Sequence, residues 1–245
     1  MTLTELANPT RFLNLAERIL PWLIGATVFA FAVGLSQALF IAPDDYQQGA
    51  TVKIMFIHVP SAWLAMAGWG VMSVAALGTL VWRHPLADVS GKSAAPIGAG
   101  FTLMCLVTGS LWGRPSWGTY WEWDARLTSV LVLFIMYLGM IALYRSVEDP
   151  GRAGRAAAIL TLVGAVNIPI IKFSVDWWNT LHQPASVFRV GGSAIHPTIL
   201  RPLLYMTLAF LLLFATLVIA AMRNEILRRR VRTLRLMQAQ AAPGR

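Results

Sequence analysis

Two histidines and one dense aromatic segment carry most of the chemistry this sequence offers. His58 stands in Phe56-Ile57-His58-Val59-Pro60, and His182 in Thr180-Leu181-His182-Gln183-Pro184. A neutral imidazole is a good iron ligand, and two opposed imidazoles hold a porphyrin iron from both faces. Alone, either histidine reads as a hydrogen-bonded residue at a membrane interface. Between them lies the segment from Trp112 to Arg126, where Trp112, Trp117, Tyr120, Trp121 and Trp123 place five large aromatics within twelve residues. One or two would serve as interfacial anchors. This density exceeds that need and suits a large, flat, apolar ligand. Histidines on both sides of such a platform favour the ligand reading.

The remaining polar residues are weighed against that site. Guanidinium forks match carboxylates, so Arg126, Arg114 and Arg189 are candidates for propionate groups, with Arg201 a further one. Asp124 and Arg126 read equally as an ion pair within the loop, and Asp124 as a helix cap or as a group orienting a ligand. Gly113, Arg114, Pro115 and Gly118 are expected to break a continuous helix and leave an irregular platform. His84, after Trp82-Arg83, reads as solvated or lipid-facing. His196 ranks well below His182 as a ligand. Asn167 is expected to bond across helices, and Cys105 to be a small packing residue. One cysteine excludes a structural cysteine-zinc cluster and a C-x-x-C redox pair. Neither a Walker sequence nor a metal-hydrolase or nucleophile motif is present.

These residues are positioned by a membrane bundle. Of 245 residues, 57% are hydrophobic and 13% charged, and mean hydropathy is +0.61. A soluble domain carries about twice that charged fraction. Uncharged runs cover 19–43, 54–82, 93–113, 127–144, 156–171 and 202–222. A helix crosses the hydrocarbon core with about 20 apolar residues, and the short fifth run reaches Val175 if Lys172 extends its ammonium to the interface. The runs do not alternate as barrel strands do. The expected fold is all-α: an integral membrane protein of six transmembrane helices forming a single domain over 1–245. Its outer loops fall at about 112–127 and 176–201, and a basic tail covers 223–245. No internal repeat is evident.

Fourteen Lys and Arg residues fall on the side of the termini and six on the other, so the positive-inside rule places both termini in the cytoplasm. The net charge of +9 is thereby mostly a topology signal. Nucleic-acid binding is not expected, because no basic groove with stacking aromatics lies outside the membrane. The first span exceeds a signal h-region and Glu17 flanks it, so no cleavable signal peptide is expected. Thr10 to Leu20 has helical apolar spacing and predicts a short interfacial helix leading into the first span. The tail from Arg223 to Leu236 predicts a helical extension, read first as an anchor on anionic lipid and second as a docking element for a cytoplasmic partner.

The segment Trp117-Gly-Thr-Tyr-Trp-Glu-Trp-Asp-Ala-Arg-Leu-Thr128 resembles the tryptophan-rich WWD signature of haem-handling membrane proteins. With Ile57-His58-Val59-Pro60-Ser61-Ala62, Trp177-Trp178-Asn179-Thr180-Leu181-His182-Gln183 and Ala42-Pro43-Asp44-Asp45-Tyr46-Gln47-Gln48-Gly49, the chain resembles over nearly its whole length the CcmC family of cytochrome c maturation. The resemblance implies a protein of the bacterial inner membrane that presents haem b on its periplasmic face. It implies binding through two external histidines, here His58 and His182, and the WWD segment. It implies delivery to the haem chaperone CcmE and assembly with the small protein CcmD and the ABC transporter subunits CcmA and CcmB. It further implies that ATP hydrolysis by that transporter is linked to release of the loaded chaperone. Tyr120 departs from relatives with another Trp but keeps an aromatic face, and His196 matches no family ligand. A delivery protein rather than an enzyme is expected, with a haem edge left exposed for transfer.

Other classes are weaker readings. Lyase-type relatives have longer chains and additional deep histidines. A cytochrome b electron carrier needs facing histidine pairs near mid-bilayer, which no span supplies. A non-haem scaffold or transporter subunit would be distinguished by a colourless preparation.

Overall fold

The structure is a computed structural model and describes residues 8–241; the part of the tail containing Arg245 lies outside them. Helix α1 spans Pro9–Ser36 and closes in a π turn, Gln37–Ile41. A 3-10 turn, Ala50–Ile54, leads into α2, Met55–Leu80. Helices α3, Ala87–Trp117, and α4, Ala125–Ser146, follow. The fifth span is divided into α5, Pro150–Gly164, and α6, Asn167–Trp177, and the chain ends in α7, Pro197–Ala241. Six helical segments are long and apolar enough to cross a membrane. Among the described residues the only β pairing is an isolated Asp45–Gly49 bridge.

The separate interfacial helix expected over Thr10 to Leu20 is absent; these residues open an unbroken α1. Asn8 caps it by accepting a hydrogen bond from the Thr10 amide (2.8 Å), and Pro9 takes the first turn, where no amide partner is required. The apolar side chains predicted to face lipid have a protein partner instead. Phe12 and Leu13 pack on Leu86 and Val89 at the start of α3 and on Val218, Met222 and Ile226 midway along α7. α1 runs antiparallel to α7, as shown by the Thr27–Thr216 hydroxyl bond (3.1 Å) and by the bond from Arg230 Nη2 to Thr10 Oγ1 (2.6 Å). Both described ends therefore lie on one face of the bundle.

That face is tied by ion pairs. Lys92 meets Glu225 at 2.7 Å, and Arg229 meets Asp88 at 2.6 Å and Glu225 at 2.9 Å, with Arg228 also on Glu225. The basic extension of α7 is thus fixed to the start of α3 and continues helically to Ala241.

In the middle of the bundle, small residues let backbones approach, as membrane helices require. Ala65, Ala94, Ala95 and Ala157 surround the buried Trp69 and Tyr137. Tyr137 donates to the Ala65 carbonyl (2.8 Å), Trp69 Nε1 donates to the Thr161 carbonyl (3.1 Å), and their rings meet edge-on at 5.0 Å. Asn167 does bond across helices, to the Ser129 carbonyl at 2.9 Å. A methyl group on Gly98 would stand 2.3 Å from the Tyr137 ring. The ring is held by both its hydroxyl bond and Trp69. Gly98→Ala is therefore expected to lower stability by about 1–3 kcal/mol, as overpacking does. Gly100→Ala on the same helix, where nothing lies within 4 Å, should not. Thermal unfolding of the two variants in detergent checks this, and equal midpoints would contradict it.

Candidate functional site

On the face opposite the chain ends, three segments converge: the first turns of α2, the end of α3 with the loop 118–124, and the long connection 178–196. α3 does not break at Gly113 and Pro115 as expected. It continues to Trp117 and closes on Gly118, whose φ of +79° suits the left-handed cap and whose amide reaches the Arg114 carbonyl at 3.0 Å. Pro115 removes a single backbone bond in this last stretch, and Ser116 Oγ donates to the Trp112 carbonyl at 3.1 Å. Trp112 and Trp117 are consequently helical, and the irregular segment is shorter than predicted.

His58 lies one turn into α2. Its Nδ1 is 3.1 Å from the Cys105 carbonyl and 3.1 Å from Thr108 Oγ1. A carbonyl only accepts, and the Thr108 hydroxyl donates its proton to the Met104 carbonyl at 2.6 Å. Nδ1 therefore carries the hydrogen and Nε2 presents a bare lone pair. Gly109 makes this placement possible, since a Cβ there would come within 2.8 Å of His58 Cε1. Trp112 stands edge-on to the imidazole at 5.7 Å and donates its indole N–H to Gln48 Oε1 at 2.9 Å. Gln48 is held in turn by Asp45 Oδ1, which accepts the Gln47 and Gln48 amides at 2.9 Å each. Cys105 is buried, as a packing residue should be, but its carbonyl also orients the His58 ring.

His182 is set from the other side by Asp124. The sequence left capping and ligand orientation as alternatives for this carboxylate, and the two oxygens divide the tasks. Oδ1 accepts the Leu127 amide at 2.7 Å, capping α4. Oδ2 lies 3.3 Å from the Leu181 amide and 3.3 Å from His182 Nδ1. Nδ1 is the donor, so Nε2 is again the open nitrogen. Burial lowers the His182 pKa below its ordinary 6.5, more than the Asp124 carboxylate raises it, and Arg126 lowers it further. At neutral pH the ring is uncharged and able to ligate. Trp117 meets it edge-on at 4.8 Å. The two histidines are thus each braced by an indole of the same helix, five residues or about 7.5 Å apart along its axis. Fixing Nδ1 by a carbonyl or carboxylate is how metal-binding histidines are commonly oriented.

The rest of the aromatic platform is arranged differently. Trp121 and Trp123 meet edge-on at 5.5 Å. They border an open apolar groove of about 510 Å³ lined also by Leu106, Val107, Ser110, Leu111 and Leu131. Trp121 Nε1 is buried with no hydrogen-bond partner, whereas Trp123 is 73% and Tyr120 56% exposed.

The arginines separate into two groups. Arg126 crosslinks α4 to α6, from Nε to Ser174 Oγ (3.1 Å) and from Nη2 to the Ile171 and Lys172 carbonyls (3.4 and 3.2 Å). Among the described residues it forms no ion pair with Asp124. Arg114 bonds the Gly118 carbonyl through Nη1 and lies over the Tyr120 ring at 5.6 Å. Arg189 and Arg201 are exposed. His196 is engaged at the start of α7, with Nδ1 2.8 Å from Thr198 Oγ1, and His84 accepts the Leu86 amide on the face of the termini. Sequence reasoning missed Gln48, Thr108 and Gly109 as parts of the site. Their types carry no signal by themselves; only proximity to His58 and Trp112 does.

The Heme exporter protein C (CcmC) family model matches residues 2–237. A heme exporter protein C of Bradyrhizobium diazoefficiens is 74% identical over 239 residues, covering 98% of this chain and 90% of the relative. That of Escherichia coli strain K12 is 48% identical over 226 residues, 92% and 91% of the two chains. That of Paracoccus denitrificans is 44% identical over 236 residues, 96% and 97%. A match of this extent, running through both histidine segments and the aromatic loop between them, means that the chain belongs to the heme exporter protein C family.

Proposed function

We propose that this chain holds haem b at the periplasmic face of the bacterial inner membrane and hands it to the chaperone CcmE during c-type cytochrome maturation. Haem is cargo here. His58 Nε2 and His182 Nε2 are its axial ligands, and the indoles and Tyr120 receive the apolar ring. One observation carries the reading: both histidines have Nδ1 committed to acceptors and an indole at their edge, leaving Nε2 as the coordinating atom in each. The groove beside Trp121 and Trp123 supports it, being apolar and open where a transferable ring edge would lie. The excess of Lys and Arg on the face of the termini supports an outward-facing site. Delivery rather than catalysis is the role this reading favours, since the Asp124 carboxylate beside His182 is engaged in capping α4 and orienting the ring. The assembly would include CcmD and the transporter subunits CcmA and CcmB. Arg114, Arg126 and Arg189 remain the propionate candidates; Arg189, on an exposed loop, is the least committed to other bonds.

The purified protein, loaded with haem and mixed with soluble CcmE, is expected to lose its haem to the chaperone as a covalent adduct visible on a denaturing gel. Trp121→Ala and Trp123→Ala should reduce transfer severalfold, and Trp82→Ala, at an exposed position on the other face, should not. Equal transfer by all three variants would reduce the platform to a membrane anchor.

A further inference from the structure

The extension of α7 presents a surface that the haem site does not use. After Glu225 the sequence has six arginines and no acidic residue. Every residue from Val231 to Ala241 is exposed. Leu227, Val231, Leu234 and Met237 recur at helical spacing along one side, 39%, 47%, 59% and 59% exposed. The base of this helix is not free to tilt away, because Arg229, Arg230 and Arg232 are bonded to Asp88, Thr10 and the Glu148 carbonyl.

Three occupants could cover such a stripe, and the geometry separates them. Arg235 lies thirteen residues beyond Met222, the last residue of the uncharged run, or about 20 Å along the unbroken helix. The headgroup layer extends only about 5–7 Å past the hydrocarbon, and lipid charge is screened within about 8 Å. Anionic lipid therefore reaches the base of the extension, Leu227 and Val231 included, where the arginines already have partners, but not Leu234 and Met237, about 18 and 22 Å beyond Met222. A second copy of the helix would set arginines against arginines with no carboxylate between them. A protein surface with the opposite charge meets neither objection.

We propose that the α7 extension is a docking helix whose Leu227–Val231–Leu234–Met237 stripe seats in an apolar groove rimmed by carboxylates on a cytoplasmic protein subunit. Apolar anchors at i, i+4 and i+7 would supply the fit, and the flanking arginines the orientation and encounter rate. The inference rests on the cytoplasmic placement of the tail in the reading above.

Photocrosslinking of the full chain in its native membrane tests it, with benzoylphenylalanine replacing Leu234 on the stripe or Leu236 on the opposite side. The expected result is a protein adduct from position 234 whose crosslinked peptide lies in an acidic groove. It should be weak or absent from position 236, lost with Arg235→Glu and retained with Arg235→Lys. Adducts with lipid only, with a second copy of this chain only, equally from both positions, or from neither would overturn the proposal. A Gln240→Cys variant probed with an impermeant maleimide in spheroplasts separates the two levels of failure, as Cys105 is buried. Labelling of intact spheroplasts would overturn the orientation and the docking together. Labelling only after lysis, without an adduct, would overturn the docking alone.

Discussion

Purified His58→Ala and His182→Ala variants are expected to lose most of their haem on the column while still folding as six-span bundles. Each would remove a proposed ligand atom itself, so the loss should exceed the roughly 10–100-fold that follows from removing a group behind a metal ligand. Neither substitution leaves a buried charge, because both rings are neutral in the arrangement described. Haem content per protein and the Soret band report the result, and added imidazole should restore a six-coordinate spectrum in either single variant by filling the vacated position. His196→Ala, whose ring bonds Thr198 at the start of α7, serves as the comparison and should retain haem. Unchanged spectra in both ligand variants would remove the axial assignment.

Asp124 offers the second large effect, and two substitutions divide its two tasks. Asp124→Ala removes the cap of α4, a loss of about 1 kcal/mol. It also releases the Leu181 amide and His182 Nδ1. Haem retention should fall by about 10–100-fold, with a lower unfolding temperature. Asp124→Asn keeps an efficient cap but replaces the carboxylate facing His182 with a neutral amide. It should unfold close to the parent while still retaining haem less well. If Asp124→Asn retained haem as the parent does, the carboxylate would be a cap and nothing more.

Much of this arrangement was readable from residue order. Gaps between charges located the six spans, because the bilayer core tolerates little else, and the aromatic crowding between two histidines pointed to segments that the fold brings together. What escaped has common causes. The breaks expected at Gly113 and Pro115 rest on local propensity, which a helix overrides when the cost, here one missing backbone bond, falls in its last turns. The amphipathic pattern of Thr10 to Leu20 is real, but sequence does not say whether lipid or α7 covers it. The double role of Asp124 depends on a loop 57 residues away, and the tautomer of His58 on a carbonyl and a hydroxyl of another helix. Such partners are set by packing, and no spacing rule reaches them.

The polar partner of each histidine belongs to a different part of the chain from the ring it steadies: α3 for His58, the start of α4 for His182. Any slippage of α2 along α3, or withdrawal of the 178–196 connection from α4, would turn an imidazole before it unfolded anything. The absorption of bound haem should then act as a strain gauge for the whole bundle, changing colour under perturbations applied far from the iron.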